Sequence, residues 1–400
     1  MNNETRKETQ VLPKDVRCVG ADDLTLSLFE NQYPVQPMGV SYNSYLILDE
    51  KIAVMDSVDA RAADEWLAKL AHELDGRSPD YLVISHMEPD HSGSILRLAE
   101  KYQEMKLVGN TKTFTMLRQF FGAKAPTDDR LLEVGEGETL PLGAHTLHFM
   151  LAPMVHWPEV MVAYEETEKL LFSADAFGRF GALSRTAGAP WAPQARRYYY
   201  NIVGKYGAQV QALLKKAAAL EIETICPLHG PVLTGEALGE ALRLYDLWSR
   251  WQSESPDDIL LAHASIHGNT ARAAELFKQK LEAKGARVTL CDLTTTEVSY
   301  AVANAFCCGK LVLACSTYDG GLFPPMEEFL SHLQAKGFRD RSVGLMENGS
   351  WAPAAARLMR AKLEEMKDLR VCGTVVSLRS ALSPASEAQM DALTTELCAK

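Results

Sequence analysis

The chain lacks any C-x-x-C pair among its eight cysteines, which stand at Cys18, Cys226, Cys291, Cys307, Cys308, Cys315, Cys372 and Cys398. That absence excludes an appended rubredoxin-type or ferredoxin-type centre, which would need closely spaced thiolates. Scattered thiols of this kind pack as small apolar residues in a reducing cytosol, so a cytoplasmic location is expected. Long apolar runs are missing too: nothing approaches the roughly 20 residues needed to span a bilayer. The start, Met1-Asn2-Asn3-Glu4-Thr5-Arg6-Lys7, offers no apolar core for a signal peptide. An excess of positive charge is absent; the net charge is -11, which argues against a nucleic-acid binder and suits a soluble acidic protein. The composition is otherwise that of an ordinary globular protein, and 400 residues predict more than one domain.

What the chain does have is concentrated in Ser85-His86-Met87-Glu88-Pro89-Asp90-His91-Ser92-Gly93. Two imidazoles and two carboxylates follow directly on the apolar run Tyr81-Leu82-Val83-Ile84, which reads as a buried strand. Residues 94–100 read as a helix with Ser92 as its cap. The loop therefore sits at the carboxyl end of a strand, where α/β proteins place their chemistry. Taken alone it can also be a solvated polar turn. A mixed imidazole and carboxylate set without thiolate suits iron, manganese or zinc. Three more ligand-type residues also follow apolar runs: His156 after residues 148–152, Asp175 after residues 170–174, and His229 after residues 225–228. Seven such ligands are enough for two metal ions that share a bridging carboxylate.

The series His86-x-Glu88-x-Asp90-His91, then His156, Asp175 and His229 resembles the metallo-β-lactamase fold in the form carried by flavodiiron proteins. Zinc hydrolases of that fold usually offer a third His where this chain has Glu88, whereas flavodiiron proteins have a Glu there. The resemblance implies a division of labour: His86, Glu88 and His156 on one iron, Asp90, His91 and His229 on the other, and Asp175 between them.

The first part of the chain reads as short strands, then mixed strands and helices, which predicts an αββα sandwich over residues 1–252. A helix is expected over residues 62–74, with Trp66, Leu67, Leu70 and Leu74 on one face. Residues 176–200, rich in Gly, Pro and aromatics, read as an irregular loop over a pocket mouth. Trp157, Tyr198 and Tyr199 are candidates for the wall of that pocket or for plain packing. His145 and His148 are expected on one strand, facing opposite ways, in structural roles.

Residues 253–258 read as a polar linker. Beyond it, over residues 259–400, strands and helices alternate as in a flavodoxin-like doubly wound parallel sheet. Strands are expected at 259–264, 287–290, 311–315, 342–346 and 371–376. The first is followed by Ser265-Ile266-His267-Gly268-Asn269-Thr270 and then a helix. Small and hydroxyl residues at a helix N-terminus suit an anion, because amide hydrogens and the helix dipole point at it. The loop is neither a Walker A loop nor a dinucleotide glycine triplet. Two further strand ends carry Ser316-Thr317-Tyr318-Asp319-Gly320-Gly321 and Asn348-Gly349-Ser350-Trp351, polar loops that each hold an aromatic and suit a planar ring.

Together these three loops resemble those of flavodoxin, with residues 265–270 on the FMN phosphate and the other two flanking the ring. His267 stands where flavodoxins often have a small or hydroxyl residue, and the third loop lacks the extra Tyr seen before the Trp in many flavodiiron proteins. Both departures bear on the flavin's potential rather than on its binding.

The resemblance to flavodiiron proteins spans nearly the whole chain. It implies an FMN and a pair of irons that reduce O2 to water and/or NO to N2O. Electrons would come from an external donor such as a rubredoxin or its reductase. Family members place the flavin far from the metals within one chain, so the resemblance implies a head-to-tail homodimer or a dimer of dimers. The competing readings are a dinuclear zinc hydrolase fused to a flavodoxin domain, which leaves the second domain unexplained, and a pure electron carrier.

Overall fold

The computed structural model describes residues 12–399, so the polar start Met1–Lys7 lies outside the described residues. The chain divides into two compact units, one comprising residues up to Tyr199 with Tyr206–Asp246, the other Tyr200–Lys205 with Leu247 onward.

In the first unit two six-stranded sheets form. One runs in the order Val16–Cys18, Tyr45–Ile47, Ala53–Met55, Tyr81–Val83, Lys106–Gly109, Leu131–Glu133. The other runs Thr139–Pro141, Thr146–Leu151, Met161–Glu165, Leu170–Phe172, Thr224–Cys226, Leu233–Thr234. Alternate residues of both sheets, among them Tyr45, Met55, Val83, Phe149, Ala163 and Phe172, share one buried apolar cluster. Two sheets facing each other through such a cluster, with helices outside, make the αββα sandwich. The helix Ala63–Leu74 buries Trp66, Leu70 and Leu74, with Leu67 at the edge of that stripe. The helix Thr111–Phe121 is started by Asn110, whose carboxamide oxygen accepts the amides of Lys112 and Thr113.

Several local expectations give way here. Ser92 does not cap a helix; it lies in the short helix Pro89–Ser92, its hydroxyl donating to Met87 O, and the next helix is Ile95–Lys101. Residues 176–200 are not a structureless loop, because they contain the helices Leu183–Thr186 and Trp191–Tyr198. Phe177, Phe180, Trp191 and Tyr198 are buried there, so the aromatics that suggested an irregular cover are packing residues. His145 precedes its strand and pairs with Asp49 at 2.8 Å.

The second unit is a five-stranded parallel sheet in the order Val288–Asp292, Ser255–Ala264, Cys308–Tyr318, Arg341–Asn348, Leu369–Leu378. This is the 2-1-3-4-5 order of flavodoxin-like folds. One core of the sheet joins Ile259, Leu261, Val312 and Met346 to Phe277 and Leu281 of the helix Asn269–Ala283 and to Leu393 and Leu397 of Pro384–Cys398.

The linker expected at residues 253–258 is largely strand: Ser255 pairs with Cys308, and the ladder resumes at Ile259 after a bulge. Pro256, which has no amide hydrogen, is tolerated at that irregularity. A Cβ on Gly309 would lie 2.0 Å from Pro256 O, so this close approach needs glycine. The third strand likewise outruns its expected end. Ser316 pairs with Asn348, and Thr317 and Tyr318 form a hairpin with Leu322 and Gly321.

Candidate metal centre and cofactor loops

The loop after Tyr81–Val83 is fixed by two buried acids. Asp56 accepts the Ser85 amide at 2.7 Å, and Glu159 accepts the Met87 amide at 2.9 Å and the His86 ring Nδ1 at 2.8 Å. A carboxylate can only accept, so the His86 hydrogen is on Nδ1 and its Nε2 lone pair faces inward. There it lies 3.2 Å from Glu88 Oε2 and 3.4 Å from Asp175 Oδ2. His156 Nε2 meets the same two atoms at 3.1 and 3.2 Å.

A second group stands beside the first. His91 Nε2 is 3.2 Å from Asp90 Oδ2, 3.2 Å from Asp175 Oδ1 and 3.1 Å from His229 Nε2. His229 Nε2 is 3.2 Å from Asp90 Oδ2 and 3.6 Å from Asp175 Oδ1. Its Nδ1 donates to Ser41 O at 2.7 Å, which again leaves Nε2 as the inward lone pair. All seven candidate ligands therefore converge, in one group of His86, Glu88, His156 and Asp175 and another of Asp90, His91 and His229. Asp175 turns one oxygen to each group.

These donors fit a pair of metal ions. Inward lone pairs of His86 and His229 face carboxylate oxygens and another imidazole, an arrangement that is repulsive without a cation between them. Both oxygens of Asp90, Oδ1 of Asp175 and Nε2 of His156 are buried with no hydrogen-bond partner, a set that burial would make costly if nothing met it. The protein alone answers the demand with protons. Burial opposes charge on His156, yet Asp175 and Glu88 beside it lift its pKa to about 9. His86 rises well above the usual imidazole range despite its burial, through Glu159 and Glu88. Asp175, whose burial works the other way, is held well below the carboxylate range by His91 and His156. A divalent metal supplies that positive charge directly.

Aromatic rings wall the site. Phe29 stands edge-on to His229 at 5.3 Å between centroids, Tyr198 lies 5.5 Å from the same ring, and Trp157 is edge-on to His86 at 5.2 Å. Tyr199 is buried with its ring 5.0 Å from Tyr245. Phe29, Ser41, Asp56 and Glu159 carried no ligand spacing and escape a reading by motif. Only Glu159, an acid inside the apolar stretch Trp157-Pro158-Glu159-Val160-Met161, carried a visible signal.

In the second unit Gly268 takes a left-handed backbone (φ 84°) at the start of Asn269–Ala283, and its amide donates to Ser265 Oγ at 3.1 Å. Ile266 and His267 face solvent. The buried Thr270 hydroxyl is 2.8 Å from Ser316 Oγ and accepts from Asn348 Nδ2 at 3.2 Å, so one network joins all three expected loops. Asn348 also exchanges hydrogen bonds with the backbone of Ser380, a fourth loop that the sequence did not flag. Thr317 is spent elsewhere: its hydroxyl accepts the amides of Ala354 and Ala355 at the start of the helix Ala355–Glu364. Asp319 and Gly320 make the left-handed turn of the hairpin. Gly349 lets Pro353 approach where a Cβ would sit 2.6 Å from its Cα, and Ser350 Oγ meets Ser380 Oγ. Tyr318 is 44% exposed and Trp351 88% exposed, large flat faces left open at the carboxyl ends of the strands. Such faces beside a free helix N-terminus fit a phosphorylated planar cofactor.

Known proteins resemble this chain in sequence and fold. A family model described as ODP family beta lactamase matches residues 40–230. A rubredoxin-oxygen oxidoreductase of Megalodesulfovibrio gigas is 28% identical over 356 residues, 87% of each chain. The structure of the flavodiiron protein from Giardia intestinalis superposes with a TM-score of 0.87 at 25% identity, covering 96% of this chain and 95% of that one. Over nearly its whole length the chain is similar to flavodiiron proteins. A further relative is a nitric oxide reductase of Moorella thermoacetica, 27% identical over 358 residues, 87% of this chain and 88% of that one. Among the described residues, no helix is long and apolar enough to cross a membrane.

Proposed function

We propose that this protein is an oxidoreductase that reduces O2 to water and/or NO to N2O at a non-haem iron pair, with electrons relayed by FMN. The relatives named as oxygen and nitric oxide reductases support that reading. The observation that carries it is Asp175, whose Oδ2 faces His86 and His156 while Oδ1 faces His91 and His229. In this reading His86, Glu88 and His156 would hold one iron, Asp90, His91 and His229 the other, and Asp175 would serve both. When bound, two ferrous ions and a flavin supply the electrons that the substrate takes up.

The chain's own residues do the rest. The Nδ1 hydrogens of His86 and His229, held by Glu159 and Ser41 O, keep the inward nitrogens basic and the rings fixed. Phe29, Trp157 and Tyr198 line the pocket with apolar surface and restrict water around a small apolar gas. In the second unit the amides at the start of Asn269–Ala283 would hold the FMN phosphate with Ser265 and Thr270. Tyr318 and Trp351 offer faces to the ring.

The donor is a separate small redox protein such as a rubredoxin or its reductase. A head-to-tail homodimer brings the flavin of one protomer to the irons of its partner. The cysteines, none of them in a disulfide, suit a cytoplasmic setting. A zinc hydrolase of the same fold gives no use to the flavin loops, and Glu88 stands where such enzymes usually have His.

Metal analysis with a visible spectrum, followed by steady-state O2 and NO consumption from one electron donor, tests the proposal. An iron pair and a flavin per chain, with gas consumption, are expected. Zinc with hydrolytic turnover, or flavin without metal, overturns it.

A further inference from the structure

Glu159 is three residues beyond His156, yet its side chain serves His86, which lies 73 residues earlier in the chain. Both side chains are fully buried. Oε1 of Glu159 takes the His86 Nδ1 hydrogen at 2.8 Å and the Met87 amide at 2.9 Å, while Oε2 is buried with no partner. Its backbone carbonyl is fastened separately by Asn110 Nδ2 at 2.6 Å. One residue thus ties together the two loops that carry His86 and His156.

Among the described residues, the opposite ligand group has no such carboxylate hydrogen-bonded behind an imidazole. His229 Nδ1 is backed by Ser41 O, a neutral carbonyl, and His91 Nδ1 is buried without a hydrogen-bond partner. A carboxylate behind an imidazole pushes electron density to the coordinating nitrogen and fixes its direction, and loss of such a partner typically costs about 10–100-fold in metal affinity. A carbonyl does this less, because it carries no net charge.

We infer that Glu159 makes the two metal positions unequal, so that the ion at His86, Glu88 and His156 is held more tightly and fills first. Glu159 is a positioning residue: it acts on the metal through His86. The inference rests on the two-iron reading above.

Iron release from the holoprotein to a chelator, with the ⁵⁷Fe Mössbauer spectrum, tests it. Wild type is expected to lose its irons in two phases. Glu159→Gln keeps an acceptor oxygen for the Met87 amide and the His86 ring and removes only the charge. It should release the slow-phase ion about 10–100-fold faster, leave the other phase unchanged and alter one of two iron signals. Glu159→Asp keeps the charge and should restore most of the retention, which separates charge from fold.

Wild-type rates and spectra in Glu159→Gln overturn the inference, as does equal acceleration of both phases. If Glu159→Gln does not fold, Glu159→Asp must still weaken the slow phase alone, because its shorter side chain backs His86 less well. A wild-type protein that holds no iron pair sinks the two-iron reading instead, so the two failures are distinguishable.

Discussion

The Asn43 carboxamide fastens the loop that presents His229 at two carbonyls. Asn43 Nδ2 donates to Pro227 O and to Gly230 O, both at 2.8 Å, and Tyr45 Oη donates to Pro227 O at 2.8 Å. All of these residues are buried. In Asn43→Ala the backbone bond from Asn43 N to Leu228 O survives, and Pro227 O keeps the tyrosine. Gly230 O loses the donor it has. A lost bond is worth about 1 kcal/mol and a buried orphan about 1–3 more, so the substitution should cost about 2–4 kcal/mol. Tyr45→Phe alone should cost about 1 kcal/mol, because Pro227 O keeps Asn43. Together they leave Pro227 O with neither donor, and the double variant should exceed the sum by about 1 kcal/mol or more. The assay is denaturant unfolding of the four proteins, read by a probe in the first unit, since a chain of two units need not unfold in one step. Iron content should fall in step with the loss, because the strained loop carries a ligand. Two single variants that each cost under about 0.5 kcal/mol and simply add would refute the reasoning: the carbonyls would then have found other donors.

Other consequences are open to direct measurement. Asp175→Asn removes the negative charge that the two ligand groups share, and metal analysis should show most of the proposed iron gone while the fold persists. Burial raises Asp49, but hydrogen bonds from the amides of His145 and Glu50 and from the His145 ring outweigh it and hold the acid down to about 2, against an ordinary 3.8. A depressed carboxylate stabilises above its unfolded pKa and loses that contribution as pH falls through the folded one. Asp49→Asn should therefore cost about 2 kcal/mol at neutral pH, and its unfolding midpoint should converge on the wild type between pH 4 and pH 2. Gly230→Ala places a Cβ 2.7 Å from Arg179 Cγ at φ 82°, and should cost about 1–3 kcal/mol of backbone strain beyond the clash, seen as a lower melting temperature. Asn348→Ala breaks the network through Thr270 and Ser380; fluorescence titration should show binding of the proposed FMN weakened about tenfold or more.

By itself the sequence determined the kinds of donor and their order, because each candidate ligand follows an apolar run and a strand end is a local event. It determined the αββα-then-flavodoxin succession for the same reason: periodicity and turn residues act over a few positions. Its errors were also local rules overridden by distant partners. Ser255 to Asp258 look like a linker, but Cys308 offers them a strand to pair with. Residues 176–200 look like a lid, but Phe177 stacks on Tyr245 and Phe180 meets Phe29 and Tyr198, so their aromatics are held in place. What only the tertiary structure decided was who meets whom. That Asp175 turns one oxygen to each histidine group, that Glu159 backs His86, and that Asn43 holds the His229 loop are contacts across many tens of residues. No local pattern encodes them. They exist because two sheets close face to face on one apolar core and bring their loops to the same edge.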